Sequence, residues 1–349
     1  MTKADQIIFN DVQTVAEAMD LKPLFGKKVL VTGAGGLIGL YIAYLLRFLN
    51  EERNANIEVD LIIRGTGPSS ERLKGFRGIK GMAVLHQDVS KPIRYTKAYD
   101  YAIHGAGYAS PAVFLKNPLE TIDVNVIGLR SMLDSLREIN PAATVLYLSS
   151  AETYGSPNMF PTPETYMGNV AVTNNRACYM ESKRLSEVLG LTYQNQFKLK
   201  VRIARPALAY GPGLPMDDQR VMAQFMKKAY EQKVIEMIDD GADLRCFCYL
   251  SDMLRQLMSI LLYAKDTIYN VGSAKEEITI RSLAMMIGEI LNVKVIPGLG
   301  KNSAVKGAPS RVKLDLTKIE SEFGFKPVVS MKSGLKRMID WNLARRESN

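Results

Sequence analysis

At 349 residues, 47% hydrophobic and 23% charged, the chain has an ordinary globular composition with room for one large or two modest domains. Its net charge of +9 comes from scattered lysines and arginines, with no basic run dense enough to track a nucleic acid. No apolar run approaches the roughly 18 residues of a membrane span, and three cysteines with two histidines are too few for a disulfide framework or a zinc site. The expectation is therefore no nucleic acid, no membrane and no metal. Met1 to Gln6 lacks the charged-then-apolar layout of a secretion signal, so a cytoplasmic location is expected.

Residues 6 to 19 carry apolar side chains at helical spacing and predict an amphipathic arm, separated from the first strand by Lys22-Pro23 and Gly26. The run Lys28 to Thr32 predicts a buried strand, Gly33 to Gly39 a turn, and Leu37 to Leu49 a helix. Further strands are predicted over Ile57 to Ile63, Met82 to His86, Tyr101 to His104, Thr144 to Leu148 and Lys200 to Ala204. Between them lie a helix including Thr121 to Ile139 and another carrying Tyr179 on to about Phe197. Strands alternating with helices predict a doubly wound parallel sheet, an α/β class. After Arg205 the texture changes to a loop-rich region and short elements, ending in a helix around Met331 to Ala344. The expected organisation is an arm over 1–26, a Rossmann domain over 27–206, and a smaller lobe, mainly substrate-binding, over 207–349.

The turn Thr32-Gly33-Ala34-Gly35-Gly36-Leu37-Ile38-Gly39 follows a strand and opens a helix, which is the setting of a dinucleotide site. Gly33 permits the bend, Gly36 the approach of pyrophosphate and Gly39 the close packing of helix on strand, while the first amides around Leu37 and Ile38 face the anion. Where an acid would meet the ribose of NAD, after Leu61-Ile62-Ile63, stands Arg64, which suits the 2′-phosphate of NADP or simply faces solvent. Asp88 and Val89 are expected at the adenine and Ala106 along the cofactor.

Tyr179 and Lys183 are four apart and share a helix face, so the ammonium is expected near the phenol, favouring its ionised form. A phenol tuned in this way serves as a general base beside a hydride acceptor. Ser149-Ser150-Ala151-Glu152-Thr153-Tyr154-Gly155 follows the apolar strand at the edge where ligands bind in such sheets.

These motifs resemble the extended short-chain dehydrogenase/reductases of the NAD-dependent epimerase/dehydratase family, and most of all the UDP-glucuronate decarboxylase (UDP-xylose synthase) branch. The stretch from Tyr166 through Arg176-Ala-Cys-Tyr179-Met-Glu-Ser-Lys183-Arg184 carries the resemblance. Ala109-Ser110-Pro111, Asn117-Pro118, Asn125-x-x-Gly128, Gly211-Pro212, Asp218 to Val221 and Leu244 to Phe247 extend it over about residues 27 to 341. The resemblance implies a retained nicotinamide cofactor, oxidation of the sugar C4 hydroxyl, and a homodimer. It assigns Tyr179 as base, Lys183 as its tuner and ribose anchor, Ser150 as the hydroxyl on the substrate, and Glu152 as the acid shared by decarboxylases and 4,6-dehydratases. Arg220, Arg245 and Arg311 are expected at the diphosphate or sugar of a nucleotide-sugar substrate.

Ala151 stands where many dTDP-glucose 4,6-dehydratases carry an aspartate, which argues against that reaction. Leu208 and Phe114 replace a usual asparagine and tyrosine. The leading expectation is a decarboxylase, with a 4,6-dehydratase or epimerase, and a non-catalytic cofactor-binding regulator, as the alternatives.

Overall fold

A computed structural model describes residues 1–65, 67–273, 277–299 and 311–347. The strands are Lys28–Thr32 (β1), Glu58–Ile63 (β2), Met82–His86 (β3), Tyr101–His104 (β4), Thr144–Leu148 (β5), Lys200–Pro206 (β6), Leu208–Tyr210 (β7), Val234–Glu236 (β8), Leu244–Tyr249 (β9), Ile268–Val271 (β10), Glu277–Thr279 (β11), Lys294–Ile296 (β12) and Arg311–Val312 (β13). The helices are Lys3–Ala18 (α1), Leu37–Arg53 (α2), Pro68–Arg72 (α3), Pro111–Phe114 (α4), Pro118–Ile139 (α5), Ala177–Phe197 (α6), Val221–Gln232 (α7), Leu250–Tyr263 (α8), Ile280–Leu291 (α9), Thr317–Phe323 (α10) and Met331–Glu347 (α11).

Seven strands form the central sheet in the order β10-β6-β5-β4-β1-β2-β3, every neighbouring pair parallel. The chain winds outward in one direction from β1 to β3 and in the other from β4, so β1 and β4 flank the switch point where ligands settle in such sheets. The strand cores are fully buried (Val29, Leu30 and Val31; Val145, Leu146 and Tyr147), as a sheet covered on both faces requires.

Beyond residue 206 the chain does two things. β7, β9, β11 and β13 form a second small sheet, and β8 pairs β12, under a core of Met222, Phe225, Leu283, Leu335 and Met338. Between these, α8 packs against β5, β6 and β10, and β10 extends the central sheet beside β6. The second half thus supplies a helix and a strand to the Rossmann body as well as the lobe.

The amino-terminal arm is a full helix with a Thr2–Asp5 capping box, packed on α2, α8 and α11. Its Asp11 is 1% exposed and accepts hydrogen bonds from Tyr41 (2.7 Å) on α2, Tyr249 (2.5 Å) at the end of β9 and Arg337 (2.7 Å) on α11. One carboxylate therefore ties the arm to both lobes.

Candidate active site

The glycine turn lines a cavity of about 400 Å³ together with the ends of β2, β3 and β4. Gly33 has φ +69°, and a Cβ there would lie 2.5 Å from the Ala106 nitrogen; a Cβ on Gly39 would overlap the Gly33 carbonyl. The bare Gly33 and Gly39 let the turn pack on the residues after β4 and on the start of α2, and the free amides and dipole at the amino end of this seventeen-residue helix favour an anion such as a pyrophosphate. The expected cofactor residues Gly33, Gly36, Arg64, Asp88, Val89 and Ala106 all line this cavity, while Leu37, Ile38 and Gly39 form the first turn of α2 beneath it. The residues present fit a dinucleotide.

A Gly33→Ala variant is therefore expected to lose at least tenfold in NADH affinity, followed by fluorescence titration. Gly26→Ala, at φ +68° but facing open space, carries the backbone cost alone and should bind normally.

Arg64 has a partner that its sequence neighbourhood does not foretell. It pairs with Glu120 on α5, and its guanidinium lies 5.0 Å from the Tyr108 ring centroid. It lines the cavity wall with its side chain 49% exposed, so it faces solvent as the sequence allowed, while carrying a surface partner in Glu120. Asp88 accepts from the Ser90 amide (3.0 Å) and hydroxyl (2.7 Å) at the same wall.

The catalytic candidates meet at the carboxyl edge of β5. Ser150 follows the strand and caps a short turn, accepting from the Glu152 amide at 3.1 Å. Its hydroxyl lies close enough to Tyr179 to act against the rise of that phenol, and α6 brings Tyr179 up from below with 5% exposure. The Tyr179 ring stacks on Phe114 (4.9 Å between centroids, 5° between planes). Glu152 is held by Arg176 at 2.5 Å.

Lys183, one turn on from Tyr179, donates to the Leu148 carbonyl at 2.7 Å and lies 4.8 Å from the Tyr147 ring centroid. Gly107, in the cavity wall, lies against that ammonium: a Cβ there would sit 3.6 Å from Nζ. The cofactor cavity and the catalytic set are thus adjoining.

The electrostatics differ from the simple expectation for a Tyr-x-x-x-Lys pair. Burial raises the Tyr179 phenol above its ordinary value and the Glu152 charge adds to this, against the opposing effects of Ser150 and Arg176. Lys183 Nζ stands 5.9 Å from the Tyr179 ring centroid and donates to the Leu148 carbonyl. Burial instead lowers Lys183 itself to about 7, against the pull of Glu187. The unfolded chain, with a lysine of 10.5, then binds more protons between about pH 7 and 10.5. The stability cost of burying Lys183 is felt in full below pH 7 and relieved as pH rises through that window. Lys183→Met should accordingly raise the urea midpoint at pH 6 by a few kcal/mol equivalent, with the gain vanishing toward pH 10, while activity disappears.

Each of the three expected substrate arginines is held by a neighbouring acid. Arg220 is held in a two-bond fork by Asp218 (2.8 Å each) at the start of α7. Arg245 pairs with Asp243 at 3.1 Å, and Arg311 is forked onto Glu277 at 2.5 and 2.8 Å. Each is locked by an acid within the second lobe, so the expected meeting with a diphosphate requires exchange of partners.

Two participants were not assigned roles from the sequence. Glu187 continues the stripe Tyr179-Lys183-Glu187 at four-residue spacing and accepts from Ser149 at 2.5 Å, which a helical-face reading would have found. Arg176, three residues before Tyr179, was visible only as part of a motif.

Residues 29–272 match the NAD dependent epimerase/dehydratase family. The chain belongs to this family. Among its relatives, UDP-glucuronic acid decarboxylase 5 of Arabidopsis thaliana is 32% identical over 311 residues, 89% of this chain and 88% of that protein. The family fold is equally plain in solved structures. UDP-glucose 4-epimerase of Thermotoga maritima superposes with a TM-score of 0.78 at 22% identity, covering 92% of this chain and all of that one (100%). dTDP-glucose 4,6-dehydratase of Streptomyces venezuelae, solved with NAD, gives 0.77 at 23% identity over 92% of this chain and 98% of its own.

Proposed function

We propose that this enzyme decarboxylates an acidic nucleotide sugar, with UDP-glucuronate as the first candidate and NAD as the retained cofactor. The observation that carries the reading is Glu152, paired with Arg176 and close to Ser150 and Tyr179, in a protein whose glycine turn lines a dinucleotide-sized cavity. The 32% identity to a UDP-glucuronic acid decarboxylase supports the choice of reaction, as does alanine at position 151.

A nicotinamide cofactor held over the Gly33–Gly39 turn would supply the hydride acceptor and donor. Tyr179 removes the proton from the sugar C4 hydroxyl while Ser150 holds that oxygen. Oxidation at C4 makes the C5 carboxylate a β-keto acid, so the C5–C6 bond breaks and its electron pair passes into the C4 enolate as carbon dioxide leaves. Glu152, whose charge is felt at Tyr179, is assigned to the proton that returns to C5. Lys183, on the helix face that carries Tyr179, would anchor the cofactor ribose.

Mass spectrometry of the protein incubated with NAD and a panel of nucleotide sugars tests this. Release of carbon dioxide from UDP-glucuronate supports the proposal. Loss of water, or an isomer of unchanged mass, would move the protein to the dehydratases or epimerases, and cofactor binding with no reaction across the panel would favour a non-catalytic regulator.

A homodimer and a cytoplasmic location belong to the same proposal. Leu119 and Ile122 on α5 and Leu185 and Val188 on α6 are exposed apolar side chains on two adjoining helices, with Leu119 as much as 76% exposed. A face of this kind suits a second copy of the chain; a monomer in sedimentation at micromolar concentration would refute it. All three cysteines are free thiols, in keeping with a reducing compartment.

A further inference from the structure

Arg176 sits at the amino end of α6 with its side chain 5% exposed. Its Nη2 reaches Glu152 Oε1, and its guanidinium lies 5.2 Å from the centroid of Phe114, whose other neighbour is the Tyr179 ring. Arg176 Nε and Nη1 are buried with no hydrogen-bond partner, and Glu152 Oε2 is in the same condition. The nearby arginines differ: Arg205, Arg220 and Arg311 each place two nitrogens on a carboxylate.

A buried guanidinium with two unpaired nitrogens is a poor contributor to stability, because desolvation of charge and donors is left uncompensated. Orphaned donors and an orphaned acceptor side by side, one ring away from the base, describe a place where ligand atoms complete the hydrogen bonding. The ligand group that best matches unspent cationic donors is a carboxylate.

We propose that Arg176 is the specificity residue that recognises the acidic group of the sugar, its bond to Glu152 holding the guanidinium in place until that group arrives. This rests on the reading of the site as one for a nucleotide sugar, but its test is binding and does not need turnover.

Calorimetry with NAD present would compare UDP-glucuronate with UDP-glucose. The wild-type protein should prefer the acid, and Arg176→Met should weaken UDP-glucuronate by about 10- to 100-fold while leaving UDP-glucose within about twofold. Arg176→Lys should recover part of the preference. Glu152→Gln, which leaves the arginine charge unshared, should tighten the acid several-fold without affecting UDP-glucose, and it decides the matter should Arg176→Met fail to fold. Equal weakening of both sugars in Arg176→Met, no preference in the wild type, or an unchanged preference in Glu152→Gln overturns the assignment. Tight, Arg176-dependent binding of UDP-glucuronate without carbon dioxide release would instead remove the decarboxylase reading and leave Arg176 in its role.

Discussion

A Tyr179→Phe variant is expected to keep its dinucleotide and lose turnover by about 10²- to 10⁴-fold, the range for removing a positioned general base. The substitution deletes one oxygen and leaves the ring stacked on Phe114, so the packing that shapes the site persists. What goes is the proton acceptor beside Ser150. This phenol is held above its ordinary value chiefly by burial, so it is protonated at neutral pH. Substrate and cofactor must shift that balance, and the rate should climb with pH on its acid side. Steady-state turnover by mass spectrometry, paired with NADH fluorescence titration, separates the two effects. Loss of cofactor affinity to the same degree would point to a collapsed site, and an unchanged rate would remove Tyr179 from the role of base.

The sequence revealed the frame of this site more readily than its partnerships. The six strands from Lys28 to Pro206 are apolar runs bounded by turn residues, and each lies within a residue or two of its expected limits. The return of β10 to the sheet was not legible, because Ile268–Val271 is four residues long and only its pairing with β6 gives it an identity. The same holds for charge. Arg64 and Glu120 are 56 residues apart and Arg311 and Glu277 are 34, so which acid each arginine chooses is a tertiary fact. The i, i+4 rule rightly put Tyr179 and Lys183 on one face of α6, yet burial and the Leu148 carbonyl, rather than their proximity, set the behaviour of the lysine.

Removing the arginine at position 205 should destabilise the protein by about 3–5 kcal/mol, the usual consequence of leaving one member of a buried ion pair behind. Arg205 and Glu187 side chains are 11% and 7% exposed and meet through two bonds, 2.9 Å from Nε and 2.6 Å from Nη2. Arg205 also donates to the Tyr154 hydroxyl at 2.9 Å and the Glu164 carbonyl at 3.1 Å, while Glu187 accepts from Ser149 at 2.5 Å. In Arg205→Ala the Glu187 carboxylate would keep only the Ser149 hydroxyl among these donors, in a space too buried for bulk water to replace the rest. Urea denaturation would report the loss as a lower midpoint at unchanged slope. Replacing both members by leucine removes the orphaned charge and should restore most of the stability, since a buried pair contributes little net over apolar packing. Activity should not return with it. Ser149 precedes Ser150, and the carboxylate that holds Ser149 fixes the strand end from which Ser150 reaches the phenol of Tyr179. A stable double variant with full turnover would show that the pair serves the fold alone; a stable one with impaired turnover would make it part of the machinery that aims Ser150.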